Sequence, residues 1–223
     1  MKPSSPLKKE LWEESAWIQK KYEIISEIGK GTFGKIYRVR DKANKKELAL
    51  KVQKVLSKEE LYKAMEEINN ILSMDHPNII KYYKNDFSFI RILGTMQETF
   101  AEDYHAVFQV MPLADRNLKV VLEKKVSRGK KIQIVEQILA GLIYAHKEQI
   151  CHLDLKLENF LDFNGTIKIC DWGSGKRNYE NKSYSLSQIS GLSMTSWPPE
   201  IVQHEKNVNF FKVDSYAMGI IFM

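Results

Sequence analysis

The chain has little cysteine, no long apolar run and no block of charge of one sign. Its two cysteines, Cys151 and Cys170, follow no spacing that makes a disulfide framework or a zinc site. Reduced thiols are expected, in the cytoplasm or alternatively the nucleus. No apolar run approaches the length of a membrane span. The opening MKPSSPLKKE lacks the apolar core of a signal peptide. A soluble protein with no membrane partner is the expectation. The net charge of +6, from 34 Lys+Arg against 28 Asp+Glu, is interspersed with acids, as in KKELWEESAWIQKK. Such mixed charge reads as solvated surface and argues against a nucleic-acid partner. No internal repeat or low-complexity tract is present. The 43% hydrophobic and 28% charged content is that of a globular chain, and 223 residues suffice for one sizeable core or two small lobes.

Residues 1–6 hold two Pro and two Ser and are expected to be disordered. Residues 7–21 read as a short amphipathic helix with Leu11, Trp12, Trp17 and Ile18 near one face. Packing onto the domain that follows is favoured over docking of a partner. From Tyr22 the pattern changes to β-rich runs, YEIISEIG, GKIYRVR and ELALKV, broken by glycines or the polar DKANKK turn. Residues 57–74 have helical period, with Ser57 as cap and Leu61, Met65, Ile68 and Leu72 as the apolar stripe. His76-Pro77-Asn78 stops that helix. Strand-like runs follow at 79–93 and 104–111, with GTMQETFAED between them as a loop or insertion. After Met111-Pro112 the chain turns helical, and Asn164-Gly165 signals a tight turn. The expected fold class is α+β. An extension, 1–21, precedes a small antiparallel β-sheet lobe with one helix, 22–111, and a mainly helical lobe, 112–223.

The segment His152-Leu153-Asp154-Leu155-Lys156-Leu157-Glu158-Asn159 carries the most chemistry. Its acid, lysine and amide stand at offsets 0, +2 and +5, and Asp171-Trp172-Gly173 begins twelve residues after Asn159. Two carboxylates and an amide with a lysine between them suit a base, a phosphate contact and two metal ligands. Those are the parts needed to move the γ-phosphoryl group of ATP to a hydroxyl. Upstream, Gly29-Lys30-Gly31-Thr32-Phe33-Gly34-Lys35-Ile36 lets backbone N–H groups approach a phosphate. Dinucleotide-binding folds share this glycine spacing, but there a helix follows. Here IYRVR is β-rich, and Lys51 stands seventeen residues after Gly34 in strand context. A lysine over a nucleotide needs a counter-ion. Glu67 is favoured and Glu66 is its rival, although both also read as helix-surface charge.

Together these residues resemble the eukaryotic protein kinase family, over residues 22 to 223. The resemblance rests on the glycine loop, Lys51, Glu67, His76-Pro77-Asn78, the Asp154 segment, Asp171-Trp172-Gly173, Pro198-Pro199-Glu200 and the run from Asp214 to Gly219. Lys156 after Asp-Leu is similar to the serine/threonine class. The resemblance implies a two-lobed fold that uses ATP and Mg²⁺ to phosphorylate a Ser or Thr of a protein substrate. Asp154 would orient the hydroxyl and accept its proton, and Lys156 would neutralise the γ-phosphoryl group. Asn159 and Asp171 would hold Mg²⁺, and Lys51 would contact the α- and β-phosphates. Ile28, Ile36, Ala49 and Leu161 would sandwich the adenine. Residues 109–111 would form the hinge, with the backbone of Gln109 and Met111 reading the adenine edge and Phe108 behind it. Asp115 is placed for the ribose hydroxyls, and a surface acid explains it nearly as well. Ile71, Tyr82, His152 and Trp172 would stack as a spine anchored by Asp214. His152 and Cys170 are assigned packing rather than chemistry.

Departures from the family carry expectations of their own. Leu153 stands where the family has an Arg that pairs with a phosphate on the activation segment. Activity independent of phosphate at Ser185, Ser187 or Ser190 is therefore expected. Trp172 replaces Phe, Leu157 replaces Pro, and Ser193 or Thr195 takes the place of the substrate-site Thr. The sequence stops inside the apolar helix that Asp214 is expected to begin, where the family continues. A C-terminally truncated domain, with a partner covering its apolar surface, is the expectation. The alternative is a catalytically inactive kinase-like module that binds nucleotide or a partner.

Overall fold

The computed structural model describes residues 10–31, 34–83, 87–92, 104–177, 197–203 and 208–223. Thr32, Phe33, the GTMQETFAED stretch, Ser185, Ser187, Ser190, Ser193 and Thr195 lie outside the described residues. The chain divides into two compact units, Met1–Ala64 with Tyr82–Leu113, and Met65–Lys81 with Ala114–Met223.

The first unit is built on five antiparallel strands in the order β1-β2-β3-β5-β4. They are β1 Tyr22–Gly31, β2 Gly34–Asp41, β3 Glu47–Val55, β4 Phe87–Ile92 and β5 Tyr104–Pro112. Side chains alternate across a strand. Leu48, Leu50 and Val52 of β3 therefore join Tyr37, Val39, Ala106, Phe108 and Val110 in one buried cluster. Ala49, Lys51 and Gln53 point to the other face.

The single helix expected over 7–21 is two pieces, a 3-10 turn Leu11–Glu14 and α1 Ala16–Lys21. Ser15 separates them. Its backbone is extended (φ −99, ψ 102), and its Oγ accepts the Ile18 N–H at 3.3 Å, capping α1. The break lets both pieces reach the sheet. Ile18 is fully buried in the cluster, and Leu11, Trp12 and Trp17 pack against it. Burying one such aliphatic side chain contributes about 1.5–3 kcal/mol.

Helix α2, Lys58–Ser73, runs through the division between the units. Ser57 caps it by accepting the Glu60 N–H at 3.1 Å, while the Glu60 carboxylate accepts the Leu56 N–H at 2.7 Å. Its buried face differs from the expected stripe. Ala64, Glu67, Ile68 and Ile71 are buried, whereas Met65 is 43% exposed. Apolar periodicity misses a face that contains a buried acid.

In the second unit, β6 Arg116–Asn117, β8 Phe160–Phe163 and β9 Thr166–Ile169 form one sheet in the order β6-β8-β9. β7 Ile150–Cys151 pairs with β10 Lys176–Arg177. The helices are α3 Leu118–Leu122, α4 Arg128–Lys147, α5 Pro199–Val202 and α6 Phe210–Phe222. Asn164 (φ 51) and Gly165 (φ 93) supply the two left-handed residues of the β8–β9 turn. Helix α4 lies close on β9. A Cβ on Gly141 would stand 3.2 Å from Ile169 Cδ1 and 2.9 Å from the Asn78 carbonyl oxygen. Helix α6 begins at Phe210 rather than at Asp214, because Asn209 Oδ1 accepts the Phe211 and Lys212 N–H groups at 3.0 and 3.3 Å. Asp214 thus sits one turn inside the helix, buried. Among the described residues no helix is long and apolar enough to cross a membrane.

Candidate active site

In the first unit the β1–β2 hairpin pairs Gly29 with Ile36, Lys30 with Lys35 and Gly31 with Gly34. Gly34 has φ +145, and a Cβ there would collide with the Val52 carbonyl oxygen. Only glycine fits that approach of the loop to β3. Lys51, 6% exposed, lies opposite Ile36 on β2 and Gln109 on β5, and Ala49 lies opposite Met111. Cross-strand partners share a face. Ile36, Ala49, Lys51, Gln109 and Met111 therefore line the side away from the buried cluster. Ile28 and Lys30 are exposed on β1.

The residues of the expected hinge, 109–111, lie at the end of β5. Gln109 and Met111 are strand residues, and Gln109 pairs with both Lys51 and Phe87. Their backbones belong to the sheet, and it is their side chains that accompany Lys51 and Ala49. Phe108 points into the buried cluster. Strand β5 continues to Pro112, which pairs with Leu48. The chain passes to the second unit at Leu113–Ala114. Neither residue makes a backbone hydrogen bond among the described residues. The Lys35 ammonium meets Glu10 at 2.6 Å and Glu27 at 3.2 Å.

In the second unit, the stretch between β7 and β8 is held by Asp214. Its Oδ2 accepts the His152 N–H and its Oδ1 the Leu153 N–H, both at 2.8 Å. His146 Nε2 lies 2.8 Å from Oδ2. Leu153 is fixed at φ +65, uncommon for a residue with a side chain. That side chain is buried with Ile201, Phe210 and Val213. His152 Nδ1 accepts the Asp154 N–H at 3.2 Å, which leaves Nε2 to donate to the Cys170 carbonyl at 2.9 Å. Its ring lies 4.6 Å from that of Trp172. Both nitrogens are thus engaged in holding backbone.

Asp154 is 4% exposed, and its two oxygens differ. Oδ2 receives Lys156 Nζ at 2.6 Å and Asn159 Nδ2 at 3.1 Å. Oδ1 is buried and has no hydrogen-bond partner among the described residues. An unpartnered buried carboxylate oxygen costs free energy until a donor arrives. Asn159 Nδ2 also donates to the Asp154 carbonyl at 2.8 Å, which leaves the Asn159 side-chain oxygen for a cation. Asp171 has φ +59. A Cβ on Gly173 would stand 3.3 Å from Glu67 Oε2 and 3.7 Å from Asp171 Oδ1, so two carboxylates converge beside this glycine. These oxygen donors fit Mg²⁺, a hard cation. Of the two rival acids, Glu67 is 2% exposed, while Glu66 pairs with Lys176 at 2.7 Å. Leu161 lies in β8, half-buried opposite Lys168. Asp115 Oδ2 accepts the Asn164 N–H at 2.7 Å, which fastens the β8–β9 turn, as befits the surface acid.

The sequence profile described as Protein kinase domain matches residues 22–223. The chain belongs to the protein kinase family. Among its kinase relatives, CTD kinase subunit alpha of Saccharomyces cerevisiae is 28% identical over 90% of this chain and 36% of its own length. NUAK family SNF1-like kinase 2 of Homo sapiens is 27% identical over 92% of this chain and 30% of its own. A putative serine/threonine-protein kinase, L670, of Acanthamoeba polyphaga mimivirus is 34% identical over 75% of this chain and 29% of its own. This kinase chain spans about a third of the length of the curated relatives it matches. Its α+β fold, with the antiparallel sheet in one unit and most of the helix in the other, is that of the family. Sequence reasoning missed Glu10 and His146, whose partners Lys35 and Asp214 lie 25 and 68 residues away.

Proposed function

We propose that this kinase domain transfers the γ-phosphoryl group of Mg·ATP to a serine or threonine hydroxyl of a protein. The observation that carries the reading is the divided Asp154 carboxylate. One oxygen is tied to Lys156 and Asn159, and the other is buried and has no partner among the described residues. A substrate hydroxyl that donates to Oδ1 is oriented there and gives up its proton as its oxygen bonds to phosphorus. Lys156, beside Oδ2, is the cation at hand for the charge on the transferring group. The Asn159 side-chain oxygen and the Asp171 carboxylate are the donors for Mg²⁺, which when bound neutralises phosphate charge. Lys51 and the backbone of the Gly29–Gly34 loop are the phosphate-holding groups of the first unit. Lys156 following Asp-Leu favours serine and threonine over tyrosine. Buried apolar Leu153 offers an activation-segment phosphate no charged partner, so activity does not depend on one. The two free cysteines, Cys151 buried and Cys170 half-buried, suit a cytoplasmic setting.

The test is labelling of a mixed protein substrate from γ-labelled ATP with Mg²⁺, followed by identification of the labelled residue. Label on serine and threonine is expected. No label, from a chain whose melting temperature Mg·ATP nevertheless raises, would instead identify a nucleotide-binding module without transfer.

A further inference from the structure

The reaction above makes no use of residues 10–21, yet these residues reach the phosphate loop. Glu10 Oε1 accepts Lys35 Nζ at 2.6 Å, and Glu10 Oε2 accepts the Tyr37 hydroxyl at 2.7 Å. Lys35 also meets Glu27 at 3.2 Å. Lys35 directly follows Gly34 and faces Lys30 across the hairpin, and Tyr37 faces Glu27. Both arms of the glycine hairpin therefore converge on one small cluster, β2 through Lys35 and Tyr37, β1 through Glu27.

Glu10 is itself anchored. The turn that starts at Leu11 packs on the sheet's buried cluster, and the Trp12 ring meets Tyr37 edge-on at 6.5 Å. Gly29, Gly31 and Gly34 offer no side chains, and like charges face each other at Lys30 and Lys35, an unfavourable pairing. A carboxylate that draws the Lys35 ammonium aside relieves that repulsion. It also leaves the loop's backbone N–H groups and Lys30 as the donors for phosphate.

We propose that Glu10 is a positioning residue of the phosphate loop, and that the segment from Glu10 to Trp17 is a strap that sets the hairpin for nucleotide. The consequence for nucleotide rests on the kinase reading above. The strap itself rests on contacts within the first unit.

Glu10→Ala and the isosteric Glu10→Gln, made in the full chain, test it by amide hydrogen exchange and by Mg·ATP titration of the same samples. Exchange of the Glu27–Tyr37 amides is expected to quicken about three- to tenfold in Glu10→Ala, with β3 and β5 amides unchanged and Glu10→Gln intermediate. The Mg·ATP dissociation constant is expected to rise by a similar factor, and KM for ATP with it, while kcat stays within about twofold. Hairpin exchange equal to wild type in both variants overturns the strap. A looser hairpin with unchanged Mg·ATP affinity overturns the positioning role. A wild-type chain that binds no Mg·ATP overturns the kinase reading, and with it the strap's consequence for nucleotide. Normal wild-type binding that both variants keep overturns the proposal alone.

Discussion

The glycine hairpin and the His152–Asn159 segment both hold chemistry-bearing groups, and they are held by opposite means. The hairpin relies on half-exposed side chains, with Lys35 33% and Glu10 39% exposed. Ion pairs at such exposure contribute about 0–1 kcal/mol each, because water screens them. The His152–Asn159 segment relies on Asp214, 1% exposed, which accepts two backbone N–H groups at 2.8 Å. Charge-assisted hydrogen bonds away from water are stronger and costly to lose. The Asp154 segment is thus fixed firmly, and the glycine hairpin is held by contacts that are easily loosened.

The largest test of this contrast is Asp214→Ala. It leaves the His152 and Leu153 N–H groups without their acceptor and is expected to cost about 3–5 kcal/mol in urea unfolding. A loss below about 1 kcal/mol would erase the contrast. Next is Gly34→Ala, where a Cβ would meet the Val52 carbonyl oxygen at φ +145. A loss of about 2–3 kcal/mol, together with weakened Mg·ATP binding, is expected in thermal unfolding and titration. Full tolerance would mean that the hairpin tip does not approach β3 as described.

Cysteine reactivity sharpens the comparison without mutation. Cys151 is fully buried, and burial, with the Asp214 charge nearby, pushes its thiol well above the usual range. Cys170 is only half-buried. Alkylation of the folded chain is expected to label Cys170 at least about tenfold faster than Cys151. Equal rates would show that the segment after β7 opens as readily as the surface.

The smallest effect belongs to acid. Hydrogen bonds from Lys35 and Tyr37 hold the Glu10 carboxyl below its ordinary value of 4.5. The folded value is the lower one, so the stabilisation is complete above 4.5 and is lost as pH falls through the folded value. After correction for intrinsic exchange, hairpin protection is expected to be flat above the ordinary value of 4.5 and to fall as pH drops below it. Protection unchanged at pH 3 would remove Glu10 from the hairpin's support.

Much of this was legible in the sequence where the information is local. The Asp154, Lys156 and Asn159 spacing, the Asn164-Gly165 turn and the Ser57 cap each act over a few residues, and all three fall as read. What escaped depends on distant partners. The end of β5 is set by the pairing of Pro112 with Leu48, a partner far back in the chain that no local pattern reveals. The α2 face was misread because Glu67, an acid, is buried within it. Glu10 looked like surface charge because Lys35 and Tyr37 lie 25 and 27 residues on.

The central claim is that Asp154 Oδ1 takes the substrate proton. Single-turnover transfer from Mg·ATP by wild type and by Asp154→Asn, with the Mg·ATP-induced rise in melting temperature recorded for each, tests it directly. Equal rises and a transfer rate lower by about a hundred- to ten-thousandfold in the variant are predicted. A variant that binds Mg·ATP normally and transfers within about threefold of wild type would contradict the account.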